Sequence, residues 1–359
     1  MDTVRCDDNH SVMIQPHEVL KQLVTGSPMT EPQAEEVFAA ILSGQMDEAQ
    51  IGCLLGLISA RGPTVDELVG GARVMRRCVT RVEPPETGAT LIDTCGTGGA
   101  PKLFNISTAG AIIAAAAAPG RVMVAKHGSL SRTGRGSAEV LGALGVNTAA
   151  PADVQTRCLR EVGVCFCFAV HHHPAMKHAA GVRRSLGFPT IFNLLGPLTN
   201  PAGARRQLVG AYSQDLALKI AHTLARLGVD SAMVVSSHDG LDELTTTNTN
   251  LVHTVEHGEV RTRVLDAAAA PINLPRASIE SLRVHSLEAA AAAVRDCVRG
   301  VAGPTLDVAL LNAGAALVVA GAAPSIADGI VAARECVASG AAARTLDALV
   351  RLTNQSPTT

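Results

Sequence analysis

The chain runs to 359 residues, 47% hydrophobic, 17% charged and 2% aromatic, and its 30 basic and 32 acidic side chains leave a formal net charge of -2. That apolar fraction excludes global disorder, and the near-neutral balance argues against the basic surface of a dedicated nucleic-acid binder. Much of the apolar content is alanine, so the core must rely on close helix packing, and stacking platforms for single-stranded nucleic acid are scarce. The first ten residues are polar and acidic, unlike a signal peptide. Nine cysteines are too few for a disulfide scaffold, and their odd number points to reduced thiols in a cytoplasmic protein. Of the two apolar runs, 109–118 is too short for a membrane span, and 308–322 is interrupted by Asn312 and two glycines. Both read as buried helices.

Residues 1–83 form the first unit, and its signals are helical. Thr30 with Gln33, Asp47 with Gln50 and Thr64 with Glu67 each read as a capping box, so short helices with tight turns follow one another. Val37, Ile41, Leu54, Leu55 and Ile58 supply inward faces. A further helical contribution is expected from 174–190. Pro84-Pro85-Glu86-Thr87-Gly88 reads as a linker.

From residue 89 to 350 strands alternate with helices, which predicts an α/β domain with a mainly parallel central sheet. A strand ending at Asp93 leads into Gly96-Thr97-Gly98-Gly99, and Asn105-Ile106-Ser107-Thr108 opens the alanine helix. Strands are expected at 122–125, 164–169 and 231–236, helices at 137–144, 151–162, 214–227, 288–297 and 326–338, and a hairpin or irregular strands between 250 and 283. Residues 353–359 read as a flexible tail.

Four segments carry candidate chemistry. The glycine turn at 96–99 and the helix start after it read either as a phosphate cradle or as a tight turn with a Ser/Thr cap. Lys126-His127-Gly128-Ser129-Leu130 continues through Arg132 and Arg135 to Ser137. It reads either as a second phosphate loop at the next strand end or as a solvated basic loop. His171-His172-His173 suits a substrate pocket better than a metal, because adjacent histidines rarely converge on one ion. Arg183 and Arg184 are each suited to a carboxylate or to a surface ion pair. Asp242-Glu243 reads either as a pair suited to magnesium shared with substrate phosphates or as an acidic surface turn. Phe192 to Pro201 reads as a shaped loop wall.

Gly96-Thr97-Gly98-Gly99, Asn105-Ile106-Ser107-Thr108, Lys126-His127-Gly128, Phe192 to Pro201 and Asp242-Glu243, in this order, resemble anthranilate phosphoribosyltransferases over about residues 15 to 345. The resemblance implies a small helical domain joined to a nucleoside-phosphorylase-like α/β domain, and a homodimer formed through the helical domain. It implies transfer of phosphoribose from phosphoribosyl pyrophosphate to the amine of anthranilate in tryptophan biosynthesis, with Mg2+. Carried over by position, Gly96, Thr97, Gly98 and Gly99 wrap the pyrophosphate and ribose, and Asn105, Ser107 and Thr108 bind pyrophosphate. Ser107, Asp242 and Glu243 hold magnesium, Lys126 reaches the sugar-phosphate side, and Arg183 meets the anthranilate carboxylate. His127, His173, Gly196 and Pro197 line the route of the aromatic acid, with Gly128 and Ser129 beside it. The family motif runs Gly-Thr-Gly-Gly-Asp-Gly, where this chain has Ala100 and Pro101 in the last two places. Asn-Arg follows the Lys-His-Gly of the family, where this chain has Ser129 and Leu130. Arg132 and Arg135 are candidates to rebuild lost phosphate contacts. A paralogue using another aromatic amine or nitrogen heterocycle, and a non-catalytic nucleic-acid-binding member, stay open as alternatives.

Overall fold

The computed structural model describes residues 15–131 and 133–355. Four helices come first: α1 (Pro16–Val24), α2 (Glu31–Leu42), α3 (Glu48–Arg61) and α4 (Val65–Arg77). The last three begin in reciprocal capping boxes on Thr30, Asp47 and Thr64, each joined to the residue three positions on. Such a box satisfies two of the amide N–H groups that a helix start leaves without partners.

A seven-stranded sheet follows, in the order β3-β2-β1-β4-β5-β6-β7. Its members in chain order are β1 (Thr90–Gly96), β2 (Val122–Gly128), β3 (Val164–Phe168), β4 (Arg206–Gly210), β5 (Ser231–Ser237), β6 (Asn250–Glu256) and β7 (Glu259–Leu265). The first five run parallel, and β6 and β7 close the edge as an antiparallel hairpin. The helices between strands are α5 (Ile106–Ala117), α6 (Ser137–Ala143), α7 (Ala152–Glu161), α8 (Ala169–His172), α9 (Lys177–Leu186), α10 (Ile191–Leu195) and α11 (Gln214–Arg226). After the hairpin come α12 (Leu287–Arg299), α13 (Pro304–Val319), α14 (Ile326–Ala338) and α15 (Ala341–Thr353).

Strand alternation sends successive side chains to two cores. Leu208, Met233 and Val235 join the core built on α5 and α12–α15, whereas Val209, Ala232 and Val234 join a core shared with α2–α4, α9, α10 and α11. The alanine content acts in the first of these cores. A Cβ on Gly314 would stand 2.9 Å from the Ile326 carbonyl oxygen and the Ile330 nitrogen, so α13 and α14 touch backbone to backbone. Among the described residues no single helix is long and apolar enough to cross a membrane.

Three local readings change. Ala169 opens α8 instead of ending β3. Thr353, expected at the start of a flexible tail, is buried in the last turn of α15, where its hydroxyl oxygen accepts from the Asn147 N–H at 3.1 Å; residues 356–359 of that tail lie outside the described residues. Cys53, Cys95, Cys158, Cys165, Cys167, Cys297 and Cys336 are free thiols, but Cys78 is disulfide-bonded, against the expectation of a fully reduced set.

Candidate active site

The strand order reverses at β1, which has β2 on one side and β4 on the other. In an open parallel sheet that reversal opens a crevice beyond the carboxyl ends of the strands. Here a cavity of about 480 Å³ lies at that end. Its walls come from the turn after β1, the end of β2 with the loop beyond it, the start of α5, the 189–197 segment and the Leu241–Glu243 turn after β5.

Lys126 reaches this cavity from within the sheet. It is 3% exposed, and its Nζ donates to the Thr94 carbonyl at 2.6 Å and to Ser107 Oγ at 3.0 Å. Burial lowers its pKa, and the carboxylates of Asp93 and Glu243 oppose that shift. The Ser107 N–H, in the first turn of α5, donates to Glu243 Oε1 at 3.2 Å. A helix start is an electropositive end, so it suits both a carboxylate and a phosphate. Burial and the adjacent Asp242 carboxylate push the Glu243 carboxyl up to about 8, and burial also raises Asp242. Two neighbouring carboxyls whose ionised forms are both disfavoured make a site that lacks positive charge. Asp242, Glu243 and the Ser107 hydroxyl are hard oxygen donors. No group of three or more His, Cys, Asp or Glu able to hold a metal occurs among the described residues. This set fits magnesium, which takes one or two carboxylates and completes its shell with water and substrate phosphates.

Backbone packing and one asparagine fix the carboxylate pair. Gly210, the last residue of β4, has no side chain, and the Asp242 peptide occupies that space: a Cβ there would lie 2.6 Å from the Asp242 carbonyl carbon and nearer still to its oxygen. On the other flank Asn312 of α13, 1% exposed, clamps Leu244. Its Nδ2 donates to the Leu244 carbonyl at 2.7 Å, and its Oδ1 accepts from the Leu244 N–H at 3.2 Å.

The histidines divide. His127 lines the cavity, and its Nδ1 lies 3.0 Å from the Gly196 carbonyl oxygen, so that nitrogen carries the proton. His173 does not line the cavity; its ring lies behind His127, 5.2 Å between centroids. Burial first and then the His172 ring lower His173 to about 4, and burial holds His127 well below the usual range. Both are therefore neutral at pH 7. A histidine buried neutral binds fewer protons than its unfolded counterpart between about pH 4 and 6.5, so stability falls as pH drops through that window. Replacing His173 by Gln should spare the protein about 2 kcal/mol of the stability it loses between pH 7 and pH 5. Urea melts of both proteins at the two pH values measure this, and equal losses would show that His173 is not buried neutral.

Residues 17–79 match the family model for the helical bundle domain of a glycosyl transferase family, and residues 88–343 match the a/b domain of the same family. The anthranilate phosphoribosyltransferase of Methylobacillus flagellatus is 42% identical over 94% of this chain and 98% of its own length. The chain belongs to the anthranilate phosphoribosyltransferase family. A crystal structure of the Thermus thermophilus enzyme superposes with a TM-score of 0.85 at 37% identity, covering 94% of this chain and 99% of the other. The Saccharomyces cerevisiae enzyme in complex with PRPP and Mg has the same fold, with a TM-score of 0.83 at 22% identity over 94% and 97% of the two chains.

Most positions carried over from the family meet at the one cavity. Gly96, Thr97, Gly98, Gly99, Asn105, Ser107, Lys126, His127, Gly128, Ser129, Arg183, Gly196, Pro197, Asp242 and Glu243 all line it. Thr108 does not; it is buried in α5, and its hydroxyl has no hydrogen-bond partner among the described residues. Of the substituted loops, Ala100, Pro101, Ser129 and Leu130 face the cavity, and Leu130 is 59% exposed there. Arg135 is turned away: its guanidinium donates to the Val284 carbonyl, and its own carbonyl accepts from Asn105 Nδ2 at 3.3 Å. It does not rebuild a phosphate contact in this arrangement, and Arg132 lies outside the described residues. Asn193, within the segment expected to form a loop wall, lines the cavity; the sequence motifs did not single out Lys102, also on the cavity wall, or the buried Asp93, whose Oδ1 accepts from the His127 N–H at 3.0 Å. Lys102 is one of only five lysines and stands three residues beyond the glycine turn, which was the available signal.

Proposed function

We infer that this chain transfers phosphoribose from phosphoribosyl pyrophosphate to the amine of anthranilate, releasing pyrophosphate. The observation that carries this reading is the convergence of Lys126, the start of α5 and the Asp242–Glu243 pair on one cavity at the point where strand order reverses. The glycine turn at 96–99 offers backbone N–H groups to the pyrophosphate, and Asn105 and Ser107 add polar side chains beside it. Asp242, Glu243 and Ser107 would hold magnesium, which when bound neutralises the pyrophosphate and makes it a better leaving group. Lys126 is poised against the phosphate side, where its charge is worth more for being withdrawn from water.

The acceptor already carries a nucleophilic amine, so no dominant general base is assigned. The chain's task is to hold that amine in line with the bond to be broken as positive charge grows on the ribose. Arg183 is placed to receive the acceptor carboxylate; its guanidinium lies 5.4 Å over the Phe192 ring, which limits its swing. His127 and the Gly196–Pro197 turn line the same cavity. Replacing Arg183 by Ala should raise the KM for anthranilate about tenfold or more and leave the KM for the donor within about twofold. Steady-state kinetics with each substrate varied would check this, and an unchanged acceptor KM would remove Arg183 from that role. We place the contact of a homodimer on the helical domain, where Val24 of α1 is 68% exposed.

The deciding experiment for the reaction is pyrophosphate release from the donor with and without anthranilate. Release that requires anthranilate supports the reading. Release with a different amine alone would reassign the acceptor, and no release with any amine would leave a binding protein.

A further inference from the structure

A second cavity, of about 350 Å³, lies at the opposite end of the sheet from the catalytic one. It is bounded by the end of α4 and the 79–84 connection, by residues 200–205 leading into β4, and by residues 227–229 leading into β5. Its polar lining is unbalanced: Arg76, Arg81 and Arg205 face it against a single carboxylate, Glu83. Arg205 is paired with Asp230 at 2.7 Å and donates to the Gly228 carbonyl at 2.7 Å. Arg76 has no such relief. Its Nε donates to the Leu198 carbonyl at 2.7 Å, and among the described residues no carboxylate lies within ion-pair distance of it. Burial first and then the charge of Arg205 lower it to about 10. Arg81 is exposed and makes no ion pair among the described residues.

A half-buried guanidinium normally carries a carboxylate, because desolvation without a counter-charge is costly. Here the neighbouring charge is another arginine and there is open volume in front of both. Guanidinium forks match the oxygen geometry of phosphate. We propose that this cavity is a second anion-binding site, taking a phosphate-bearing small molecule held by Arg76 and Arg81. With Arg205 paired to Asp230 and Glu83 on the wall, one positive charge is left uncompensated, and a phosphate offers oxygens to both free guanidinium forks where a carboxylate offers only two. The site is separate from the catalytic cavity, and one turn links the two. Leu198, on which Arg76 rests, ends the turn whose Gly196 and Pro197 line the catalytic side.

That contact makes Arg76 a poor first variant, because losing it disturbs the catalytic turn. Arg81 touches nothing in the catalytic machinery, so Arg81→Gln is the test. Inorganic phosphate titrated calorimetrically into the full-length protein should occupy two sites, one abolished by saturating phosphoribosyl pyrophosphate with magnesium and one indifferent to it. Arg81→Gln should weaken the donor-insensitive site about tenfold or more while turnover without added phosphate stays at the wild-type value. Loss of all phosphate binding once the donor is present, or equal affinity in Arg81→Gln and wild type, would overturn the proposal. A donor that displaces no phosphate would count instead against the catalytic reading, and the Arg81→Gln comparison would still judge this cavity.

Discussion

Turnover should fall by about two to three orders of magnitude when Asp242→Asn and Glu243→Gln are combined, while the melting temperature of the ligand-free protein holds or rises. The amides keep the shape of both side chains. The Ser107 N–H, which now donates to Glu243 Oε1, still finds a side-chain carbonyl to accept it. What is lost is negative charge at a place where it is disfavoured in the free protein: burial raises both carboxyls and each lies beside the other. Groups kept at such a site against their own solvation are explained by a partner present only during function. The backbone clamp from Asn312 to Leu244 does not involve either carboxylate, so the turn keeps its position in the variant. Steady-state rates over a magnesium series, with thermal melts alongside, would separate the two effects. A variant with wild-type turnover at limiting magnesium would end the metal assignment, and one that melts far lower would mean that the pair is structural.

The parts of this site that were legible in the sequence are those whose geometry is local. A glycine turn between a strand and a helix start, or a lysine at a strand end, announces its position because strand ends of a parallel sheet share one edge. The three capping boxes were readable because they too are local, each spanning only four residues. The supporting residues were not readable. Asn312 sits in an apolar run, where a polar side chain says only that the run is no membrane span, and its partner Leu244 is 68 residues away. Asp93 read as the end of a strand, yet it holds the His127 N–H 34 residues further on. The β4 strand went unmarked because its short run opens with Arg206 and Gln207; Gln207 is buried with its Nε2 donating to the Pro197 carbonyl at 2.7 Å. The family resemblance puts His173 on the route of the aromatic acid, but α8 and the Pro174–Met176 turn carry it behind His127. Arg135 illustrates the limit of charge counting: a cation in a glycine-rich loop suggested phosphate, and a backbone carbonyl on a distant segment took it instead.

Gly210→Ala should be the most damaging single methyl group in the domain, lowering kcat/KM about a hundredfold and costing roughly 1 to 3 kcal/mol of stability. The added carbon meets the main chain of Asp242, not a side chain that could rotate aside. Two relaxations are open. If β4 recedes, the Gly210 carbonyl draws away from the Thr97 N–H that it accepts at 2.9 Å, and the glycine turn loses its anchor. If the Asp242 turn recedes, it pulls against the Ser237 N–H to Leu241 carbonyl bond of 2.9 Å on one side and the Asn312 clamp on the other. Either way the distance between the glycine turn and the carboxylate pair changes by about an ångström, the scale on which a misplaced group costs two orders of magnitude. The prediction differs in kind from that for the amide pair, which loses turnover alone. Gly210→Ala should lose turnover and melting temperature together, and added magnesium should not restore the rate, because the ligands remain but their spacing does not. A variant that melts and turns over like the wild type would mean that the Asp242 main chain does not rest against β4.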